Sequence, residues 1–437
     1  MLKTAKRIAA AVMLLALMLT ASGCFAKSPE ELYRLPELSE EYLNLQEMID
    51  DVLAQGAEYS APTSGENRSA VQLHDLDGNG GEAVAFFNFR GQDEPLRIYN
   101  FRHDGREYVK AAVIEGNGSS FRSIDYVDFN GDGCMEIVVG WQLSSGMSML
   151  SVYSVRDFQP AELISTDYTD YTVASLGSSG GKSLAAARLA SSELTGEVVL
   201  YTFLADGEVQ SSSARMSNGV EALGSLRVGR ITETVNGIFA ESIINGTSLV
   251  TDIFVAKQGN IENITADELS GISESTLRSY QMYARDINGD GVLEVPRPVT
   301  LPSQLEFTVY YAIEWYNFSA SGDASLGVTT YHNTSDGWYL TVPSEWHGRF
   351  TVRREDAVSG ERAIIFSLMG ESISDLTDVL AVYTLSGDNK EERARIGDRF
   401  IISTEGSKIY AAEILLGAEI SADAVRERFG LIYTELR

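Results

Sequence analysis

Cysteine is nearly absent from this chain: there are two in 437 residues, Cys24 and Cys134. A disulfide framework is therefore excluded as the source of stability. Histidine is also scarce; His74, His103, His332 and His347 are scattered and form neither an HExxH pair nor any other paired metal spacing. No G-x-S-x-G elbow or Walker loop occurs, and GSSGGKS from Gly177 lacks the GxxxxGK[ST] spacing of a phosphate loop. Proline is limited to 9 residues while glycine reaches 39. Many glycine-marked turns with few prolines suit a strand-rich protein. Basic charge is short as well. Against 62 acidic residues stand 34 basic ones, a formal charge of −28. Such a surface repels nucleic acid and attracts cations. One long apolar run exists, Ile8 to Leu19, and it is too short for a membrane span.

That run follows Lys3, Lys6 and Arg7 and precedes the small residues Ala21, Ser22 and Gly23, then Cys24. Basic start, apolar core and small-residue site form a signal peptide over residues 1–23. With Cys24 in place, the segment resembles the lipobox of bacterial lipoproteins, with Ala21 where leucine is more usual. The resemblance implies lipidation at Cys24, which becomes the mature N-terminus on the outer face of the cytoplasmic membrane. Removing residues 1–23 takes three of the 34 basic residues and no acid, so the mature chain has 31 against 62 and carries −31.

Residues 24–35 are polar and read as a tether. In 36–56, Tyr42, Leu45, Ile49, Val52 and Leu53 recur at helical spacing, with Ser39 as N-cap and Gly56 as stop. From Val71 to Phe318 the texture is short β-branched and aromatic runs bounded by Gly, Asp, Asn or Ser, such as AVAFFNF, EIVVGW and EVVLYTF. Thr265–Gln281 is an exception with helical character. After Ser319–Gly327, which reads as a linker, further strands precede a capped helix beginning at Ser421. This gives a C-terminal α+β domain at 328–437.

Three acidic loops punctuate the strand-rich region. DFNGDGCME places Asp128, Asn130, Asp132 and Glu136 at positions one, three, five and nine, with Gly133 at six. DINGDGVLE repeats this with Asp286, Asn288, Asp290 and Glu294. Alternate oxygen donors converge when such a loop wraps a cation, with the carbonyls of Cys134 and Val292 as further donors. Hard oxygen ligands select Ca²⁺. The first loop, DLDGNGGE, matches with Asp75, Asp77 and Asn79, but Glu82 falls one place early. Each loop is also compatible with a metal-free Asx-rich turn. An EF-hand is excluded, because position twelve is Val139 or Arg297 and the exit is a strand.

The loops lie 53 and 158 residues apart, one and about three units. Degenerate copies begin at Val173 and Ile231. Such a period predicts a mainly β, propeller or propeller-like repeat of about five blades over 60–320. An irregular β-sandwich is the competing arrangement. Loops of this spacing resemble the calcium loops of FG-GAP or VCBS repeats, the integrin-α type of propeller. The resemblance implies structural calcium and a surface that recognises a protein or glycan. Together these readings point to a membrane-anchored extracytoplasmic binding or scaffolding lipoprotein with no nucleic-acid partner. The alternatives are an exported carbohydrate-active enzyme with a propeller cleft, or a solute-binding lipoprotein.

Overall fold

The structure, a computed structural model, describes residues 40–78, 80–143, 146–156, 159–176, 181–189, 195–303, 308–415 and 419–432. The signal peptide, the tether with Cys24, Ser39, Asn79 and residues 177–180 lie outside the described residues.

Helix α1 (Glu40–Ala54) opens the described chain. Leu45, Ile49 and Val52 bury against Ala83, Ala85, Phe87 and Tyr99, while Tyr42 stays at the rim. Each of the three buried side chains contributes about 1.5–3 kcal/mol by leaving water. The helix stops at Gly56, whose φ of +94° is open to glycine at little cost.

Beyond the helix the chain builds a succession of antiparallel sheets. The first holds β1 (Glu58–Tyr59) and β2 (Val71–His74), which share one edge of β3 (Glu82–Asn88), then β4 (Leu96–His103) and β5 (Tyr108–Gly116). The second runs β6 (Ser120–Val127), β7 (Glu136–Gln142), β8 (Ser148–Ser154), β9 (Ala161–Asp167). The third runs β10 (Asp170–Ala174), β11 (Ser183–Arg188), β12 (Glu197–Phe203), β13 (Val209–Arg215). The fourth runs β14 (Val220–Arg230), β15 (Asn236–Ile244), β16 (Ser248–Lys257), β17 (Asn260–Asn263). The second, third and fourth are plain meanders, in which each strand pairs with its chain neighbour, and β3 to β5 of the first follow the same course; the four sheets succeed one another about every 50 residues.

The fifth sheet contains β18 (Val295–Leu301), β19 (Tyr310–Phe318), β20 (Ala324–Asn333) and β21 (Trp338–Thr341). The sixth is built of β22 (Phe350–Val358), β23 (Glu361–Met369), β24 (Leu376–Leu385), β25 (Phe400–Glu405) and β26 (Lys408–Ile414), with β26 between β24 and β25. Helix α2 (Lys390–Arg393) bridges β24 to β25. Helix α3 (Ala422–Arg428) is capped by Ser421, whose Oγ accepts from Ala424 N at 3.1 Å, and leads into β27 (Phe429–Leu431), which returns to pair with β21.

Successive sheets share cores. Phe86 meets Phe121 edge-on at 5.3 Å between the first and second sheets, and Phe129 stacks on Phe203 at 4.1 Å between the second and third. Tyr331 meets Phe366 at 5.4 Å between the fifth and sixth. Among the described residues each hydrophobic cluster lies within one sheet or joins it to the next, with α1 packed on the first sheet and Val425 of α3 in the core of the fifth and sixth.

Two segments differ from their sequence reading. Thr265–Gln281 forms bends and one 3-10 turn at Glu274–Thr276, not a helix. Asp267 Oδ1 captures the N–H groups of Leu269 and Ser270, and Ser273 is tied to Asp252, so side chains hold the backbone away from helical pairing. Ser319–Gly327 is the β19–β20 turn and the start of β20, closed by Ser319 N–H donating to Asp323 O at 2.9 Å. The boundary read at 320–328 therefore falls inside the fifth sheet. The residues beyond it share one core with that sheet through Trp338, Trp346, Phe350 and Phe366.

Candidate functional site

The second and third acidic loops adopt one hydrogen-bonding scheme, and the first shares part of it. In the second, Asp128 Oδ1 accepts from Gly131 N at 2.7 Å and Oδ2 from Gly133 N at 3.0 Å. Asn130 and Asp132 accept from the N–H groups two residues on, those of Asp132 and Cys134. The third loop repeats each contact: Asp286 with Gly289 and Gly291, Asn288 with Asp290, Asp290 with Val292. In the first, Asp75 Oδ1 accepts from Gly80 N at 3.1 Å. All three lead directly into a strand, β3, β7 or β18.

The closing glutamates are the most constrained members. Glu82, Glu136 and Glu294 are 2%, 4% and 0% exposed. Each accepts from the backbone N–H of the loop's second residue, Leu76 at 2.8 Å, Phe129 at 3.2 Å and Ile287 at 3.1 Å. Those residues are apolar and plug the core, so their N–H groups have no access to water. The glutamate one place early in the first loop makes the same contact as the other two, so the irregular spacing does not change its role. Burial raises all three carboxyls, to about 7 for Glu82 and Glu294, against the pull of those N–H groups.

The residues' fit to a cation differs between loops. Asp75, Asp77 and Glu82 bring one ligand oxygen each within 4.8 Å of one another, the closest set of three acids among the described residues. In the second loop Asp132 is drawn into an ion pair with Arg156. The loop with the poorest sequence match thus has the most convergent acids.

A second feature lies on the edge strands β2, β6 and β10, which with the 64–67 segment line a cavity of about 690 Å³. That segment runs along β6: Ser64 N donates to Arg122 O at 2.7 Å and Asn67 Nδ2 to Ile124 O at 3.0 Å. Tyr171 Oη donates to Asp125 Oδ2 at 2.6 Å and lies 3.0 Å from Ser123 Oγ. Tyr126 Oη donates to Gln72 Oε1 at 2.8 Å, and the His74 ring lies 3.8 Å from that of Tyr126. Arg122 donates to Ser148 Oγ and sits 5.5 Å from the Tyr168 ring centre. Burial raises the carboxyls of Asp125 and Asp170 and the phenols of Tyr126 and Tyr171, and lowers His74. At neutral pH the tyrosines are donors and His74 is uncharged. A larger cavity of about 830 Å³ carries one charged side chain, Lys182, among mostly small and apolar neighbours.

None of the edge-strand residues belongs to a spacing motif. Their trace in the sequence is a recurring Asp–Tyr pair, in Asp125–Tyr126, Asp167–Tyr168 and Asp170–Tyr171. Trp315, Trp338 and Trp346 are buried core. No helix among the described residues is long and apolar enough to cross a membrane. The described chain is a mainly β protein of six successive antiparallel sheets with acidic loops at strand entries. No family model matches it, and no curated protein matches its sequence.

Proposed function

We propose that this chain is an extracytoplasmic lipoprotein, anchored through Cys24, whose sheets form a propeller-like array of the FG-GAP or VCBS type that acts as a binding or scaffolding platform. Six sheets of four or five strands support six blades rather than about five, with residues beyond 328 supplying the last. The carrying observation is the contact common to the three loops, a buried glutamate at the entry to the following strand accepting from the N–H of the loop's second residue.

Calcium is part of this reading. In the first loop Asp75, Asp77 and Glu82 would hold it; Asn79 lies outside the described residues. In the others Asp128, Asn130, Asp132 and Glu136, and Asp286, Asn288, Asp290 and Glu294, would do so with the carbonyls of Cys134 and Val292. Bound calcium neutralises clustered carboxylates and ties each loop to its strand. The loops' own residues orient the carboxylates through backbone N–H groups and exclude water at the glutamate.

The test is a calcium titration of chelator-treated protein followed by thermal unfolding. The melting temperature is expected to rise with a midpoint on the order of 0.1–1 mM. Asp75→Asn, Asp128→Asn and Asp286→Asn, made singly, should each remove part of that rise. A melting temperature indifferent to calcium refutes the metal role.

A further inference from the structure

The cavity between β2, β6 and β10 contains more negative charge than its own cations neutralise. Glu66, Asp125 and Asp170 line it. Arg122 is the one lining residue with a permanent positive charge, and its guanidinium already faces Ser148 and the ring of Tyr168. The space exceeds what one metal ion with its ligands fills. Three tyrosines, Tyr126, Tyr168 and Tyr171, complete the wall, and aromatic faces attract organic cations. Tyr168, 7% exposed, packs its hydroxyl beside Ser123 and Gly140 behind that wall.

We propose that this cavity binds an organic cation, a protonated amine or a guanidinium, with Asp125 and Asp170 as counter-charges and the tyrosines as its aromatic wall. This deepens the reading of the chain as a binding platform and rests on it. A neutral sugar would satisfy the hydroxyls but leave the carboxylates uncompensated. The cation can come from a free polyamine or from a Lys or Arg side chain of a peptide, and both present the same chemistry. The net charge of −28 draws either one toward the site.

The experiment is calorimetric titration of the full chain with spermidine, with Gly-Lys-Gly and Gly-Arg-Gly peptides, and with maltose as a neutral control, at low and high salt. Saturable binding of at least one cationic probe is expected, weakened by salt and weakened about tenfold by Asp125→Asn or Asp170→Asn, a loss of about 1.4 kcal/mol. Glu66→Gln, on an exposed side chain, should weaken binding without altering thermal unfolding, which keeps the test valid if the strand variants misfold. Spermidine alone binding assigns a free amine; tighter peptide binding assigns a side chain. The proposal is overturned if no cationic probe saturates, if all three variants bind like the parent, or if maltose binds and the cations do not. Titrations run with calcium and with chelator separate the two readings. Calcium stabilisation without probe binding removes only the cavity assignment, and probe binding without calcium stabilisation removes only the metal role.

Discussion

Glu241 and Arg278 form an ion pair that is almost wholly buried, with side chains 0% and 1% exposed. Glu241 sits on β15 in the fourth sheet, and Arg278 lies in the irregular segment between β17 and β18. Glu241 Oε1 accepts from Arg278 Nη2 at 3.2 Å, from Thr251 Oγ1 at 3.3 Å and from Ala284 N; Oε2 accepts from Arg227 at 3.2 Å. Arg278 in turn serves the carbonyls of Met282 at 2.8 Å and Thr276 at 2.7 Å. Glu241→Ala leaves a buried guanidinium without its counter-charge and the Ala284 N–H without an acceptor. The expected loss is about 3–5 kcal/mol, dominated by the stranded charge. Arg278→Ala strands the carboxylate and should cost a similar amount. Removing both strands neither, so the double variant should lose less than the sum of the singles by about 2–3 kcal/mol. Urea unfolding followed by tryptophan fluorescence reads these differences. Limited proteolysis should also show earlier cleavage within 265–294 in the single variants, because the pair fixes that segment to the fourth sheet. Single losses below about 1 kcal/mol, or energies that add to within about 0.5 kcal/mol, would refute the reasoning.

Other consequences are equally direct. Glu82 and Glu294 have carboxyls raised from the usual range to about 7 by burial. Their neutral forms favour the fold, so that stability is fully present below about pH 4.5 and is lost as pH rises through about 7. In chelator, the melting temperature should fall across that window, and Glu82→Gln with Glu294→Gln should flatten the fall; a profile unchanged by both substitutions contradicts the assignment. At Gly140 an added Cβ would lie 2.4 Å from Tyr168 Oη and 2.6 Å from Ser123 Oγ. Gly140→Ala should therefore cost about 1–3 kcal/mol in chemical unfolding, and an unchanged midpoint would show that the edge-strand wall yields freely.

Much of the fold is legible locally. The helix stripe at Leu45, Ile49 and Val52 marks its buried face, because helical periodicity and burial are the same physical fact. The cap at Ser421 and the β-branched runs place α3 and most strands in the same way. The loops at Asp128 and Asp286 announce their turns, since Asp, Asn and Gly close them by short-range hydrogen bonds. What misled was local pattern without local control. Thr265–Gln281 has helical spacing, but Asp252, 0% exposed, draws in Ser217, Ser273 and Asn263 from separate segments, and that network sets the backbone. Ser319–Gly327 has linker composition, yet a tight hairpin needs the same small polar residues. The sixth sheet lies in 328–437, which reads in sequence as a separate α+β domain because the spacing of about 50 residues is lost after Phe318.

The sequence by itself determined the elements and the loop chemistry, because strand periodicity, turn residues and caps act over a few neighbours. It also determined the acidic charge balance and limited the chain to at most one disulfide. The tertiary structure decided which sheet faces which, that Glu82 bonds Leu76 as its counterparts bond Phe129 and Ile287, and that Asp125, Tyr126, Asp170 and Tyr171 share one cavity. The facing of the sheets and the cavity join residues of different sheets. They depend on how whole sheets pack, which no spacing along the chain encodes.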